Sequence, residues 1–266
     1  MFWIFLILCL MPLMSAASEE SKRCHGQDPC FVDNRSYHIA EPEGWDGQSP
    51  LPVLMHFHGW KRQGTLIVRH DRIVSATQKR GVLLVAPNGN NRTWDFWRED
   101  SPDVGFARAV LEDVKARYPV DETRIYVSGY SWGSNMAWRF VCHDGEDVAA
   151  LLGISGTLRP GQDCWTAPDE VRQVYGLADT VLSFPYGPNG ETGHAVRLWR
   201  DRFECGVGEA KGDWRITELD LFTRTVWADC SEGHIIFDIH PGGHFIPRGW
   251  IARQLDEVMG LAPSYP

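Results

Sequence analysis

Several features are missing from this chain, and each absence narrows what it can be. No C-x-x-C or H-E-x-x-H spacing occurs, and His56 and His58 share one strand-like run without a third ligand, so a metal site is not expected. Basic residues are the minority: 26 Lys and Arg face 35 Asp and Glu, a formal charge of −9. An acidic surface disfavours nucleic acid and anionic membranes as partners. The one long apolar run, Phe2 to Met14, is about thirteen residues, short of the roughly 20 a membrane-spanning helix needs. Internal repeats, low-complexity tracts and Ser/Thr-rich linkers are lacking too, which points to a single domain.

That short apolar run followed by Ser15-Ala16-Ala17 reads as an export signal cleaved after Ala17, although no Lys or Arg precedes it. The expected organisation is a leader over residues 1–17 and one domain over 18–266, secreted or periplasmic, with no membrane association after cleavage. The charge of −9 is unchanged by that cleavage, because residues 1–17 carry no Lys, Arg, Asp or Glu. Of 7 cysteines, Cys9 falls in the leader. The rest form an even set, which in an exported chain reads as disulfides. Short loops favour Cys24 with Cys30, Cys142 with Cys164 and Cys205 with Cys230. Asn34-Arg35-Ser36 and Asn91-Arg92-Thr93 are glycosylation acceptors only along a eukaryotic secretory route.

Strand-like and helix-like segments alternate, as in a parallel sheet covered on both faces. Strands are expected over 52–57, 82–86, 124–128, 149–155, 171–175, 223–228 and 234–239. Phe106, Val110, Leu111 and Val114 recur at helical spacing between Asp103 and Tyr118, and a final amphipathic helix is expected around Ile251 to Met259.

Gly129-Tyr130-Ser131-Trp132-Gly133 sits between one such strand and a helical pattern beginning near Asn135. A serine at the tip of a tight strand-to-helix turn must adopt a strained backbone, and glycines two residues to either side remove side chains that would clash there. Ser131 is therefore the candidate nucleophile. It needs a base and a carboxylate to orient that base. In the α/β-hydrolase order, serine then acid then histidine, Asp179 follows the strand ending at Gly176, and His244 lies in the turn Pro241-Gly242-Gly243-His244 after the strand ending at Ile239. A turn or helix cap is the alternative role for Asp179, and His240 is the competitor for His244. Donors for an oxyanion are expected from the backbone N–H of Trp132, after the nucleophile, and of Trp60 in His58-Gly59-Trp60, with Gly59 the next choice.

Several motifs along the mature chain carry a family resemblance: Gly44-Trp45-Asp46-Gly47, His58-Gly59 after a strand, Asp103-Val104-Gly105-Phe106, the Ser131 turn, Gly176-x-x-Asp179 and Gly242-Gly243-His244-x-x-Pro247. The chain resembles exported esterases of the polyhydroxybutyrate depolymerase and feruloyl esterase type. The resemblance implies a single-domain α/β-hydrolase fold, a mostly parallel sheet with helices on both faces, and a Ser131, Asp179, His244 triad acting without a cofactor. Trp60 stands where many depolymerases carry Cys, and Trp132 where a smaller Asn is frequent, so bulky side chains crowd both donors. Soluble or oligomeric esters fit better than solid polyester: hydroxyalkanoate oligomers, or hydroxycinnamoyl and acetyl esters of polysaccharide. Gly59, Trp94, Trp97, Tyr130 and Tyr186 are the expected substrate contacts, from the aromatic cluster Trp94 to Trp97 and the loops around the turn. A serine peptidase on the same fold, or a non-catalytic carbohydrate- or polymer-binding protein, are the alternatives.

Overall fold

The computed structural model describes residues 24–265; the expected leader over residues 1–17 lies outside them. Ten strands form one sheet in the order β1-β2-β4-β3-β5-β6-β7-β10-β9-β8. Its central strands run parallel: β4 (Leu83–Pro87), β3 (Leu51–Phe57), β5 (Val120–Tyr130), β6 (Ala150–Ile154), β7 (Glu170–Gly176) and β10 (His234–His240). Antiparallel strands finish each edge: β1 (Cys30–Val32) and β2 (Arg35–Ala40) on one side, β9 (Leu221–Trp227) and β8 (Glu209–Arg215) on the other.

Every residue of β3, β4, β6 and β7 is buried, as a parallel sheet covered on both faces requires. Alternate side chains feed two separate cores. On one face Val53, Met55 and Phe57 of β3 meet α3 (Pro102–Arg117), α4 (Trp132–Asp144) and α5 (Arg197–Arg202). On the other, Leu54 joins α2 (Asp71–Gln78) and α6 (Trp250–Val258), with the short α1 (Gly64–Ile67) beside them. Helix α3 starts where its sequence predicts: Ser101 accepts the Asp103 N–H, and Pro102 occupies the first turn, where a missing donor is harmless.

The strands expected from periodicity are present within a few residues. One differs in kind. The strand expected over 124–128 begins earlier, at Val120, and holds a turn at Asp121-Glu122, so that its register jumps from Val120 to Ile125 while β3 advances from Leu51 to Val53. Asp121 accepts the Thr123 N–H there, so the turn is absorbed as a bulge. The β1–β2 hairpin, α5 and β8 were not expected. Strand β8, Glu-Ala-Lys-Gly-Asp-Trp-Arg, is an exposed edge whose inner face offers only Ala210, Gly212 and a partly buried Trp214, too little for a period-2 apolar signal. Disulfides join Cys24 to Cys30, Cys142 to Cys164 and Cys205 to Cys230. Among the described residues no helix is long and apolar enough to cross a membrane.

Candidate active site

Ser131 links the end of β5 to the start of α4 with φ 58° and ψ −125°, a left-handed conformation that non-glycine residues rarely adopt. The surrounding glycines make this turn possible. A Cβ on Gly129 would stand 2.1 Å from the Gly133 carbonyl oxygen, one on Gly133 2.0 Å from that of Phe57, and one on Gly156 2.3 Å from that of Ser131 itself. Backbone bonds hold the turn rigid: the Ser131 N–H donates to Ile154 O at 2.9 Å, and Ser131 O accepts from Ser134 and Asn135. The hydroxyl therefore sits at the carboxyl edge of the sheet, at the positive end of α4.

Two further loops close on it. The His244 loop follows β10 and the Asp179 loop follows β7, and the two strands pair directly. The loops are joined by Leu177 N–H to His240 O and Ala178 N–H to Gly242 O, an approach so close that a Cβ on Gly176 would lie 2.3 Å from Gly242 O. His244 Nε2 lies 2.8 Å from Ser131 Oγ, and Nδ1 lies 2.6 Å from Asp179 Oδ2. An ionised carboxylate only accepts, so Nδ1 carries the hydrogen and Nε2 is left to accept from the serine hydroxyl. Asp179 is itself held: its Oδ1 accepts the Val181 and Leu182 N–H groups, both at 2.9 Å. The Tyr130 hydroxyl donates to His244 O at 2.9 Å, fixing the loop from below, and burial pushes that phenol up to about 12. His240 is not a competitor in this geometry, because its Nδ1 accepts the Gly242 N–H and shapes the loop instead; burial lowers it to about 4.

The loop after β3 lies against the same turn, with Gly59 close enough that a Cβ would touch Tyr130 O at 3.4 Å and the Ser131 Cβ at 3.6 Å. The Trp60 and Trp132 N–H groups donate to no protein acceptor among the described residues. Their indoles contact each other with ring centres 5.6 Å apart, and Trp132 also meets Phe96 and Trp97 edge-on. Beneath this loop His58 is buried and neutral. Its Nδ1–H donates to Gly59 O at 2.8 Å and its Nε2 accepts the Gly89 N–H at 3.0 Å, while burial lowers it to about 4.

Two cavities flank Ser131. One, of about 440 Å³, is walled by Phe96, Trp97, Trp132, Leu158 and Leu182. The other, of about 540 Å³, is bounded by Gly59, Tyr130 and Phe245 and by the segment running into α2. Trp97 is 56% exposed and lines the first cavity, whereas Trp60, 53% exposed, lines neither and carries the Lys61 ammonium 4.3 Å over its ring. Trp94 is fully buried against Phe57 and His58, and its indole N–H donates to His58 O at 2.7 Å, which makes it a support of the loop rather than a substrate contact. Tyr186 packs on Phe184 and lines neither cavity. Leu158, Leu182 and Phe245 were not expected, since isolated apolar residues in loops carry no periodic signal. Only Phe245 had a cue, its place next to His244. Among the described residues no three of His, Cys, Asp and Glu converge as metal ligands.

No family model matches the chain. It is 27% identical over 198 residues to "Probable feruloyl esterase C" of Aspergillus niger, covering 70% of this chain and 72% of that protein. It is 25% identical over 251 residues to a protein of the same description from Aspergillus clavatus, covering 90% and 88%. Among solved structures it resembles the acetyl xylan esterase from Aspergillus awamori, with a TM-score of 0.65, 15% identity and coverage of 86% of this chain and 95% of that one. The fold is that of the α/β-hydrolases, and the chain is a carboxylic ester hydrolase.

Proposed function

We propose that this ester hydrolase, an esterase of the feruloyl esterase type, is an exported enzyme that cleaves hydroxycinnamoyl or acetyl esters of polysaccharide, with Ser131 as nucleophile, His244 as base and Asp179 as orienting acid. The observation that carries the reading is the unbroken hydrogen-bonded line from Asp179 through His244 to a strained Ser131, beside two backbone donors without acceptors. As Ser131 Oγ attacks the ester carbonyl, its proton passes to His244 Nε2 and the imidazolium is stabilised by Asp179. The Trp60 and Trp132 N–H groups hold the oxyanion, each donor contributing about 10²–10³ in turnover. His244 protonates the departing alcohol, leaving an acyl-enzyme. Water then gives a proton to His244 and attacks the acyl carbon, and the acid and Ser131 are released.

The substrate class draws support from the relatives' names and from the aromatic wall of Phe96, Trp97 and Trp132, whose flat faces suit a planar hydroxycinnamoyl ring. Hydroxyalkanoate oligomers are the second ester class, favoured by the aliphatic Leu158 and Leu182 beside polar Asn135, Thr157 and Gln162 in the same cavity. Three disulfides fit an oxidising, extracytoplasmic compartment. Turnover of p-nitrophenyl acetate and methyl ferulate by the mature chain and by Ser131→Ala tests the proposal. Activity that survives loss of the hydroxyl, or an inert wild type that is folded and oxidised, overturns it.

A further inference from the structure

The chain is acidic, yet the 540 Å³ cavity beside the Ser131 turn is lined by Arg62, Arg69, His70 and Arg72 and by no acidic residue. Asp71 lies between His70 and Arg72 in sequence but does not line the cavity. Several other arginines are occupied: Arg108 grips Asp144 and Asp147, Arg224 grips Asp238 and Glu257, and Arg80 grips Asp256. Arg62 and Arg69 make no ion pair and no side-chain hydrogen bond among the described residues. Arg72 donates from one nitrogen to Ile246 O, two residues beyond His244, which leaves its remaining donors for a ligand.

The position of these cations ties them to the reaction. Arg62 belongs to the loop that carries the Trp60 N–H, and its own N–H closes that loop onto Gly59 O at 3.1 Å. Its charge acts on the Tyr130 phenol, the neighbour of Ser131. The cavity floor of Ile67, Tyr130 and Ile246 is apolar, and its volume falls within the range of about 300–1,000 Å³ that ligand pockets occupy. An apolar floor with a rim of unpaired guanidinium groups matches a group that is partly hydrophobic and carries a carboxylate, because the planar donor fork of arginine fits two carboxylate oxygens at once. Against a net acidic chain, this rim offers such a substrate local positive charge.

We infer that this cavity is a carboxylate subsite, and that the preferred substrates are esters bearing a second, free carboxylate close to the scissile bond, held by Arg62, Arg69 and Arg72. The inference rests on the esterase reading above and narrows its substrate. Two sources supply that chemistry: a uronic acid unit beside the esterified sugar of a polysaccharide, and the free-acid end of a short hydroxyalkanoate oligomer.

Matched pairs of substrates separate them. One pair is an acetylated xylo-oligosaccharide with and without a glucuronate branch; the other is the linear 3-hydroxybutyrate dimer as free acid and as methyl ester. In the wild type at least one acid member should exceed its neutral partner in kcat/KM by about tenfold, through KM, and high salt should erode the difference. In an Arg62→Gln, Arg69→Gln double variant the acid-to-neutral ratio should fall to about one. The pair that shows the effect identifies the source. A wild-type ratio near one for both pairs, or a ratio unmoved by the double variant, overturns the carboxylate subsite while p-nitrophenyl acetate turnover leaves the esterase standing. If no ester is turned over, the esterase reading falls, and calorimetric titration of the glucuronate oligosaccharide still decides the subsite: binding lost in the double variant sustains it, and no binding to the wild type ends it.

Discussion

The indole N–H of Trp94 donates to the carbonyl of His58 at 2.7 Å, inside the protein and directly beneath the loop that presents the Trp60 N–H. With His58 tied in turn to Gly59 O and Gly89 N–H, the loop is braced by a fully satisfied, buried set of bonds.

Replacing Trp94 by Phe leaves the His58 carbonyl unpaired in the interior, a cost of about 1–3 kcal/mol. The expected result is a lower melting temperature and a kcat reduced about tenfold on p-nitrophenyl acetate, with KM little changed. A large KM rise with kcat intact would instead make Trp94 a substrate contact.

Asp179→Asn should preserve the fold and lose about 10⁴ in kcat. The amide oxygen can still accept the Val181 and Leu182 N–H groups, but its NH₂ then faces His244 Nδ1 and selects the wrong tautomer. Kinetics and a thermal melt on the same preparation check both halves, and a variant with near-normal kcat would remove Asp179 from the reaction.

Acid lability should come from buried histidines. Burial lowers His56 to about 3 and His58 and His240 to about 4. Above about pH 6.5 these rings are neutral whether folded or unfolded, so they contribute no pH dependence. Between that pH and about 4 the unfolded chain takes up protons that the folded one refuses, and stability falls by about 1 kcal/mol per histidine per pH unit. Urea midpoints should therefore drop steadily from pH 6.5 to 5, before the carboxylates titrate. A flat profile across that interval refutes the argument.

Trp97→Ala removes an exposed wall of the aromatic cavity. KM for methyl ferulate should rise about tenfold relative to p-nitrophenyl acetate, since each aromatic contact contributes about 0.5–1.5 kcal/mol beyond its buried area. Equal effects on both esters would place the hydroxycinnamoyl ring elsewhere.

Asp238→Ala tests stability far from Ser131. Asp238 is fully buried, paired with Arg224 at 2.8 Å through both oxygens, and accepts the indole N–H groups of Trp214 and Trp250 at 2.9 Å. Removing it leaves Arg224 with Glu257 as its remaining ionic partner and two indole donors unpaired, a loss of about 1–3 kcal/mol for each donor. Denaturant midpoints measure it, and a change under about 1 kcal/mol would show that water reaches these donors.

The parallel strands were legible because burial on both faces leaves nearly continuous apolar runs, as in Pro52 to Phe57. The bulge in β5 and edge strand β8 were not, because one hides in a local turn and the other buries only part of Trp214. The aromatic cluster Trp94 to Trp97 was visible as composition only. That Trp94 faces inward and Trp97 outward depends on how the loop returns to His58.

Chain order and local motif were enough to single out Ser131, Asp179 and His244, because a serine at a strand-to-helix turn and polar residues after later strands are short-range patterns with steric causes. Whether the three meet was a matter for the sheet alone: β7 and β10 lie side by side although a long stretch of chain separates them, and their loops are zipped backbone to backbone. The cationic cavity is of the second kind as well. Arg62, Arg69 and Arg72 are unremarkable in sequence, and they face one space because the loop after β3 and the start of α2 are packed against the His244 loop by the core beneath them.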